Sequence, residues 1–147
     1  MAKTIKLIFD GYFNEKTLPT KGHKSSGIYT VYAGTVHSPT ECEFRELLYI
    51  GGADDVIGFL SKSQKGTAFK EWKGHLSSGE ILIFSIADVD AANRETALAA
   101  LIYYHYNNRK LKLPCNKQHK STFDYPPISI LTCNQNKFLK NQFIVVD

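Results

Sequence analysis

Basic side chains with the chemistry to bind phosphate are concentrated in the last third of the chain. From residue 100 onward seven bases face two acids, a net charge of +5, whereas the whole chain carries +4 and residues 1–99 therefore carry −1. The bases are Arg109, Lys110, Lys112, Lys117, Lys120, Lys137 and Lys140. Such a segment attracts polyanions such as nucleic acid. A solvated lysine-rich face explains the same charge, and charge taken alone favours that simpler interpretation.

Two tyrosines lie in a pair of mirrored tripeptides that a hairpin would bring together. Gly27-Ile28-Tyr29 opens a run rich in β-branched and aromatic residues, and Tyr49-Ile50-Gly51 closes the next such run. Period two predicts that successive residues of each strand face opposite sides of a sheet. Asp54 or Asp55 follows at once and can cap a helix, because a carboxylate there accepts hydrogen bonds from free amides.

The remaining elements that must position these residues follow from local patterns of apolar and turn-forming residues. We predict strands over 3–9, 27–34, 44–51, 80–87, 128–132 and 143–146, and helices after the aspartate pair, over 68–76 and over 91–106. The longest helix carries an apolar stripe at i, i+3, i+4 and i+7, formed by Leu98, Leu101, Ile102 and His105. A chain of 147 residues, 43% of them hydrophobic, suits one domain with its own core.

With both tripeptides in this order, the chain resembles the GIY-YIG nuclease family. Three further markers resemble small bacterial members, namely Asp10-Gly11-Tyr12, Glu71-Trp72-Lys73 and Pro114-Cys115-Asn116. The resemblance covers residues 11–127. It implies an α+β fold, a GIY-YIG-like three-stranded antiparallel sheet flanked by helices, here with N- and C-terminal strand extensions. Residues 1–147 then form a single domain with a core at about 26–116 and a basic extension at 117–147.

The resemblance also implies roles in phosphodiester cleavage with one divalent metal ion. Tyr29 would position or deprotonate the attacking water, Tyr49 would support it, and Asn116 would complete the site. The family further uses an arginine on the first helix to offset phosphate charge and a glutamate on the long helix to bind the metal. Some members add a histidine one turn after that arginine.

Those charged residues are missing at the expected positions. Phe59 stands at the arginine position, Ser63 at the histidine position and Leu98 at the glutamate position. Loss of one preorganised electrostatic group typically costs about 10²–10³ in rate, and Mg²⁺ requires oxygen ligands. We therefore predict a catalytically degenerate nuclease-like domain without a metal or other cofactor. It would bind nucleic acid, DNA before RNA, through Arg109, Lys110, Lys112, Lys117 and Lys120.

Two other interpretations remain open at the level of sequence. In the first, the domain is an active Mg²⁺- or Mn²⁺-dependent endonuclease in which Glu95 binds the metal. Arg94, Lys62 or Arg45 would then supply the positive charge. In the second, the domain is an inhibitor-like protein-interaction module, with an apolar patch around Phe59 and Leu98 that contacts a protein partner.

The expected location is the cytoplasm, with no membrane partner. The uncharged apolar runs fall far short of the roughly 20 residues of a membrane span, and the first residues lack the pattern of a signal peptide. Cys42, Cys115 and Cys133 are odd in number and widely spaced, as is typical of reduced thiols.

Overall fold

A computed structural model describes residues 3–18, 26–38, 41–107, 113–116, 123–133 and 142–145. The fold is α+β, as the sequence predicts. The strands are β1 (Lys3–Phe13), β2 (Gly27–Ser38), β3 (Glu41–Ala53), β4 (Ile81–Asp88), β5 (Ile128–Cys133) and β6 (Gln142–Val145). The helices are α1 (Val56–Lys62), α2 (Thr67–Lys73) and α3 (Ala91–Asn107). Every predicted element is present, and most of the strands are longer than predicted.

The strands form one mixed sheet in the order β3-β2-β4-β1-β5-β6. The trio β3-β2-β4 is antiparallel, with Tyr29 opposite Gly51 on β3 and opposite Ile86 on β4. Strand β1 adds to it antiparallel to β4, and β5 then lies parallel to β1. Strands are present at both ends of the chain, as predicted, but they join the trio in one mixed six-stranded sheet, so the prediction of a three-stranded, purely antiparallel sheet is wrong.

The alternation of β1 explains why the sheet continues beyond the trio. Ile5, Leu7 and Phe9 are buried whereas Ile8 is exposed, so one face of the strand belongs to the core. A buried strand must satisfy its backbone amides and carbonyls. Strand β1 does so with β4 on one side and β5 on the other, for example in the pairs of Phe9 with Ala87 and Ile5 with Ile130.

The two faces of β2 belong to two hydrophobic clusters, which confirms the predicted alternation. Ile28 and Tyr32 pack in the cluster that includes the buried residues of α3. Tyr29 and Val31 pack in the cluster that includes α1 and α2. Helix α3 thus covers one face of the antiparallel trio and the two short helices cover the other.

Helices α1 and α2 are short because polar and glycine residues end them. Asp55 is the N-cap of α1, and its carboxylate accepts from the amide of Gly58 at 3.2 Å. Helix α1 stops at Lys62, and the extended backbone of Gly66 precedes α2. The two helices bury Val56, Leu60, Phe69 and Trp72 against the sheet.

The long helix is rotated relative to the predicted apolar stripe. Its buried residues are Ala97, Ala100, Leu101 and His105. Leu98 and Ile102 are only partly buried, at the margin of the same cluster. Small alanines permit close approach to the sheet, so hydrophobicity alone misplaced the centre of the contact. Within the described part of the chain, no helix is long and apolar enough to cross a membrane.

Candidate functional site

The two tripeptide tyrosines meet on one face of the β2–β3 hairpin. Their ring centroids are 5.9 Å apart, and Gly51 lies beside both rings. A Cβ atom added to Gly51 would come within 2.5 Å of the Tyr49 ring and 2.6 Å of the Tyr29 ring. Such distances are far below van der Waals contact, so the glycine of the second tripeptide makes room for both tyrosines. Gly27 serves the first tripeptide similarly, since a Cβ there would lie 2.5 Å from the carbonyl oxygen of Ala87.

Phe59 and Trp72 extend this pair into an aromatic wall. The Phe59 ring stacks on Tyr29 with centroids 5.7 Å apart and an interplanar angle of 30°. The Trp72 ring lies 5.5 Å from Tyr49 and 6.2 Å from Tyr29. Tyr29 and Trp72 are each 2% exposed, whereas Phe59 is 39% exposed. Phe59 therefore presents the open aromatic surface of the wall.

Asn116 closes the edge of β3 next to these rings. Its amide oxygen accepts from the Ile50 amide at 2.8 Å, and its amide nitrogen donates to the Ile50 carbonyl at 2.9 Å. The amide of Cys115 donates to the carbonyl of Leu48 at 3.0 Å. Strand β3 is at the end of the sheet order, so these bonds substitute for part of a neighbouring strand. Asn116 holds the site together through the backbone of β3.

These residues surround a pocket of about 410 Å³ at the margin of β3. Its lining comes from both faces of the sheet, all three helices and the 115–116 segment. The lining residues are Tyr29, Tyr49, Ile50, Phe59, Ala68, Glu71, Trp72, Leu98, Ile102, Cys115 and Asn116. Among the described residues of this lining, Glu71 alone has a carboxylate and none has a cationic side chain. The pocket is therefore aromatic, with one acidic acceptor.

The environment of the two tyrosines keeps their hydroxyls protonated. Burial raises the pKa of Tyr29 far above its usual range, and the neighbouring Tyr49 raises it further. Burial is also the main reason that the pKa of Tyr49 is raised, with additional contributions from Cys115 and Glu71. The hydrogen bond between the two side chains raises the pKa of Tyr29 and lowers that of Tyr49, as expected where Tyr29 is the donor.

Three positions differ from the pattern of the GIY-YIG family, and they fall into two groups. Phe59 and Leu98 both line the pocket beside the tyrosines. Ser63 is instead the C-cap of α1, and its backbone amide donates to the carbonyl of Phe59 at 3.0 Å. The two hydrophobic replacements thus occupy the site itself.

The candidate relocated groups make contacts outside the pocket. Glu95 accepts from the Tyr125 hydroxyl at 3.0 Å, and Arg94 pairs with Asp54 at 2.6 Å. Lys62 is an exposed residue in the last turn of α1. Arg45 forms two bonds from its Nε to the Glu80 carboxylate, at 2.7 and 3.0 Å. None of these four charged residues is among the described residues that line the pocket.

Sequence reasoning missed Glu71 as a pocket residue. It lies on α2 with Ala68 and Trp72, which also line the pocket. Residues 68, 71 and 72 are spaced i, i+3 and i+4 and therefore share one helix face. This spacing could have placed Glu71 beside the sheet from the sequence alone, because a buried tryptophan fixes which face of α2 points to the sheet.

The donor set does not fit the divalent metal ion that the resemblance implies. Leu98 supplies hydrocarbon at the expected ligand position, and Glu71 is the one carboxylate among the described residues that line the pocket. In the described part of the chain, no group of three or more His, Cys, Asp or Glu side chains is arranged to hold a metal ion. The proposed nucleic-acid-binding residues Arg109, Lys110, Lys112, Lys117 and Lys120 lie outside the described residues.

In comparisons with known proteins, no family model, curated protein or solved structure matches the chain. The likeness to GIY-YIG nucleases therefore depends on the motifs quoted above.

Proposed function

We propose that the protein is a catalytically degenerate GIY-YIG-like domain that binds nucleic acid without cleaving it. The observation that carries this proposal is the position of Phe59 and Leu98. Both stand where the resemblance expects a guanidinium and a carboxylate, and both line the pocket beside Tyr29 and Tyr49. Hydrocarbon side chains can neither offset the charge of a pentacovalent phosphorane nor coordinate Mg²⁺.

The electrostatics of the pocket support the same proposal. Glu71 is the only charged side chain among its described lining residues, and its charge repels a phosphodiester. The raised pKa of Tyr29 also opposes hydrolysis, because a phenol that resists ionisation is a poor base for activating water. The scissile phosphate of a nuclease substrate would meet an unfavourable site here.

Phosphates would instead bind the basic segment that includes Arg109, Lys110, Lys112, Lys117 and Lys120. Each phosphate neutralised by such a residue releases condensed counterions. The affinity should therefore fall steeply with salt, by a factor of 10³ or more between about 50 and 200 mM if six phosphates are contacted. The preferred ligand is DNA, and RNA serves as the comparison.

Two assays test the proposal. In the first, supercoiled plasmid is incubated with the protein and Mg²⁺ or Mn²⁺, and we expect no nicking. In the second, fluorescence anisotropy measures binding of labelled DNA and RNA as salt is raised. A Lys110→Gln/Lys112→Gln variant should bind more weakly with a shallower salt slope. A matched Lys16→Gln/Lys65→Gln variant removes the same charge elsewhere and should bind as the wild type does.

Each alternative has its own experimental signature. Metal-dependent nicking that disappears in Glu71→Gln or Glu95→Ala would contradict the proposal and establish an active endonuclease. No binding of DNA or RNA even at low salt, together with a stable co-purifying protein, would establish the protein-interaction module instead.

A further inference from the structure

The first half of β3 is an open edge of the sheet. Strand β3 ends the sheet order and pairs with β2 alone. Further along β3 the chain covers this edge itself, because the Cys115 amide donates to the Leu48 carbonyl and Asn116 bonds the Ile50 backbone. In the described part of the chain, no hydrogen bond from outside β2 reaches the backbone of residues 41–46. This stretch can therefore accept another strand, as exposed sheet edges do.

Two pockets flank this open edge, one on each face of the sheet. Thr35 pairs with Glu43 and Val36 pairs with Cys42, so the two pairs point to opposite faces. Thr35 and Glu43 line a pocket of about 630 Å³, and Val36 and Tyr12 line a pocket of about 420 Å³. Cys42 borders both pockets. A strand added to the edge would direct alternate side chains toward the two pockets.

The two pockets favour different side chains. The first, the polar pocket, also contains Arg45 and Glu80, and the Glu43 side chain is 79% exposed there. The second, the apolar pocket, has a mostly apolar lining in which Val36 is 48% and Tyr12 is 39% exposed. A cationic side chain would be attracted to the polar pocket, and an apolar one would lose contact with water in the apolar pocket.

The charge of the edge selects a basic partner. Residues 41–46 hold Glu41, Glu43 and Glu46 against one cation, Arg45, so three minus one leaves a net charge of −2. The Arg45 guanidinium is already bound to Glu80. A second copy of the chain would bring two such acidic edges together, and like charges on neighbouring strands are destabilising. A strand with lysine or arginine at alternate positions is complementary instead.

We propose that residues 41–46 bind an extended peptide as an added strand, in which basic residues alternate with apolar ones. Backbone hydrogen bonds to β3 would hold the peptide at the edge. Its basic side chains would lie beside Glu43, and its apolar side chains would cover Val36 and Tyr12. This surface is separate from the nucleic-acid binding proposed above and does not depend on it.

Synthetic peptides test the proposal. The probe is a fluorescein-labelled hexapeptide that alternates lysine and valine, and fluorescence anisotropy measures its binding to the full chain. A hexapeptide of three lysines followed by three valines has the same composition. It should bind about tenfold more weakly, because its valines cannot all reach the apolar pocket. A hexapeptide that alternates lysine and threonine keeps the tendency to form a strand and should also bind about tenfold more weakly.

N-methylation distinguishes an added strand from other modes of binding. Alternate residues of a strand direct their backbone amides to the same edge. Methylating the lysine amides of the probe therefore blocks one of its edges, and methylating the valine amides blocks the other. One of these two peptides should lose about tenfold or more in affinity while the other keeps it. Equal affinities of the two methylated peptides would overturn the added strand.

A charge reversal on the protein tests the basic preference. Glu43→Lys should weaken binding of the lysine–valine probe about fivefold, because attraction to an exposed carboxylate becomes repulsion. Asp124→Lys is the matched control, since Asp124 is exposed and lies outside the lining of both pockets; it should bind the probe as the wild type does. Circular dichroism confirms the fold of both variants.

The remaining outcomes would overturn the proposal in different ways. Equal binding of the alternating peptide and the block peptide would reduce the edge to a charged surface. Dimerisation in analytical ultracentrifugation, with no binding of either peptide, would assign the edge to a second copy of the chain. Neither result bears on the nucleic-acid assays described above, so the proposed function stands or fails separately.

Discussion

Replacing Asn116 with alanine should both destabilise the protein and loosen the pocket. The side chain is 7% exposed and forms two hydrogen bonds with the backbone of Ile50, which is itself 1% exposed. The resemblance to nucleases implies a chemical role for Asn116, but its position assigns it a structural one. The expected loss is therefore in the free energy of unfolding.

The size of the expected loss of stability follows from the backbone N–H and C=O groups of Ile50, which lose their hydrogen-bond partner. Leaving a buried donor or acceptor unsatisfied costs about 1–3 kcal/mol. Two such groups would cost about 2–6 kcal/mol, and water entering the space left by the amide recovers part of it. We therefore expect Asn116→Ala to lower the free energy of unfolding by about 2–4 kcal/mol. That is a large share of the roughly 5–15 kcal/mol that stabilises a typical domain.

Urea unfolding followed by Trp72 fluorescence measures this change, and the denaturant slope should stay constant. Asn93→Ala is the matched control, because its amide donates to the Asp90 carboxylate on the protein surface at 2.8 Å; it should cost less than about 1 kcal/mol. Asn116→Asp keeps the acceptor for the Ile50 amide but places a carboxylate against the Ile50 carbonyl. It should be unstable at neutral pH and recover partly in acid, where the protonated carboxyl can donate. A loss below about 0.5 kcal/mol for Asn116→Ala would refute this reasoning.

Two further predictions concern a packing contact and an ion pair. Gly51→Ala should cost about 1–3 kcal/mol in the same unfolding assay, because the Tyr29 and Tyr49 rings must move away from the new methyl group; an unchanged stability would mean that the rings shift freely. The hydrogen bond that the Arg45 Nε donates to both oxygens of the Glu80 carboxylate is the main reason that the pKa of Glu80 lies below its ordinary value of 4.5. A lowered pKa in the folded state means that the stabilisation is present above the unfolded value and is lost as pH falls through the folded one. Glu80→Gln should therefore cost about 1 kcal/mol at pH 7 and should flatten the loss of stability on acidification, whereas parallel acid profiles of variant and wild type would contradict the assignment.

The features that the sequence predicted correctly depend on near neighbours. Alternation along β2 places Ile28 and Tyr29 on opposite faces, as observed. Asp55 caps α1 through a bond to the amide three residues on. The two short helices that the sequence predicts are separate, and Gly66 lies between them. Each of these signals is complete within a few residues, so no knowledge of the tertiary structure was needed.

The features that the sequence did not reveal depend on distant partners. The lysines and apolar residues of β1 look the same whether the strand lies at an edge or between two others, and its partners are at 81–88 and 128–133. Leu98 belongs to the predicted apolar stripe of α3, but it is only partly buried, whereas Ala97 and Ala100 are buried. The sequence marked Glu71 only as part of a family-like tripeptide, and its place in the pocket lining depends on how Trp72 orients α2 against the sheet. In each case another part of the chain decides the outcome.

The position of β1 in the sheet has a consequence for synthesis in the cell. This strand leaves the ribosome before the other five, yet it pairs on one side with β4 and on the other with β5, which begins at Ile128. At about 5–20 residues per second, the ribosome needs roughly 6–24 s after completing β1 to reach its last partner. Until β5 is made, the edge of β1 that pairs with β5 has no partner strand, and the apolar face formed by Ile5, Leu7 and Phe9 is incompletely covered. We therefore expect the nascent chain to depend on chaperone protection until translation of β5 is complete.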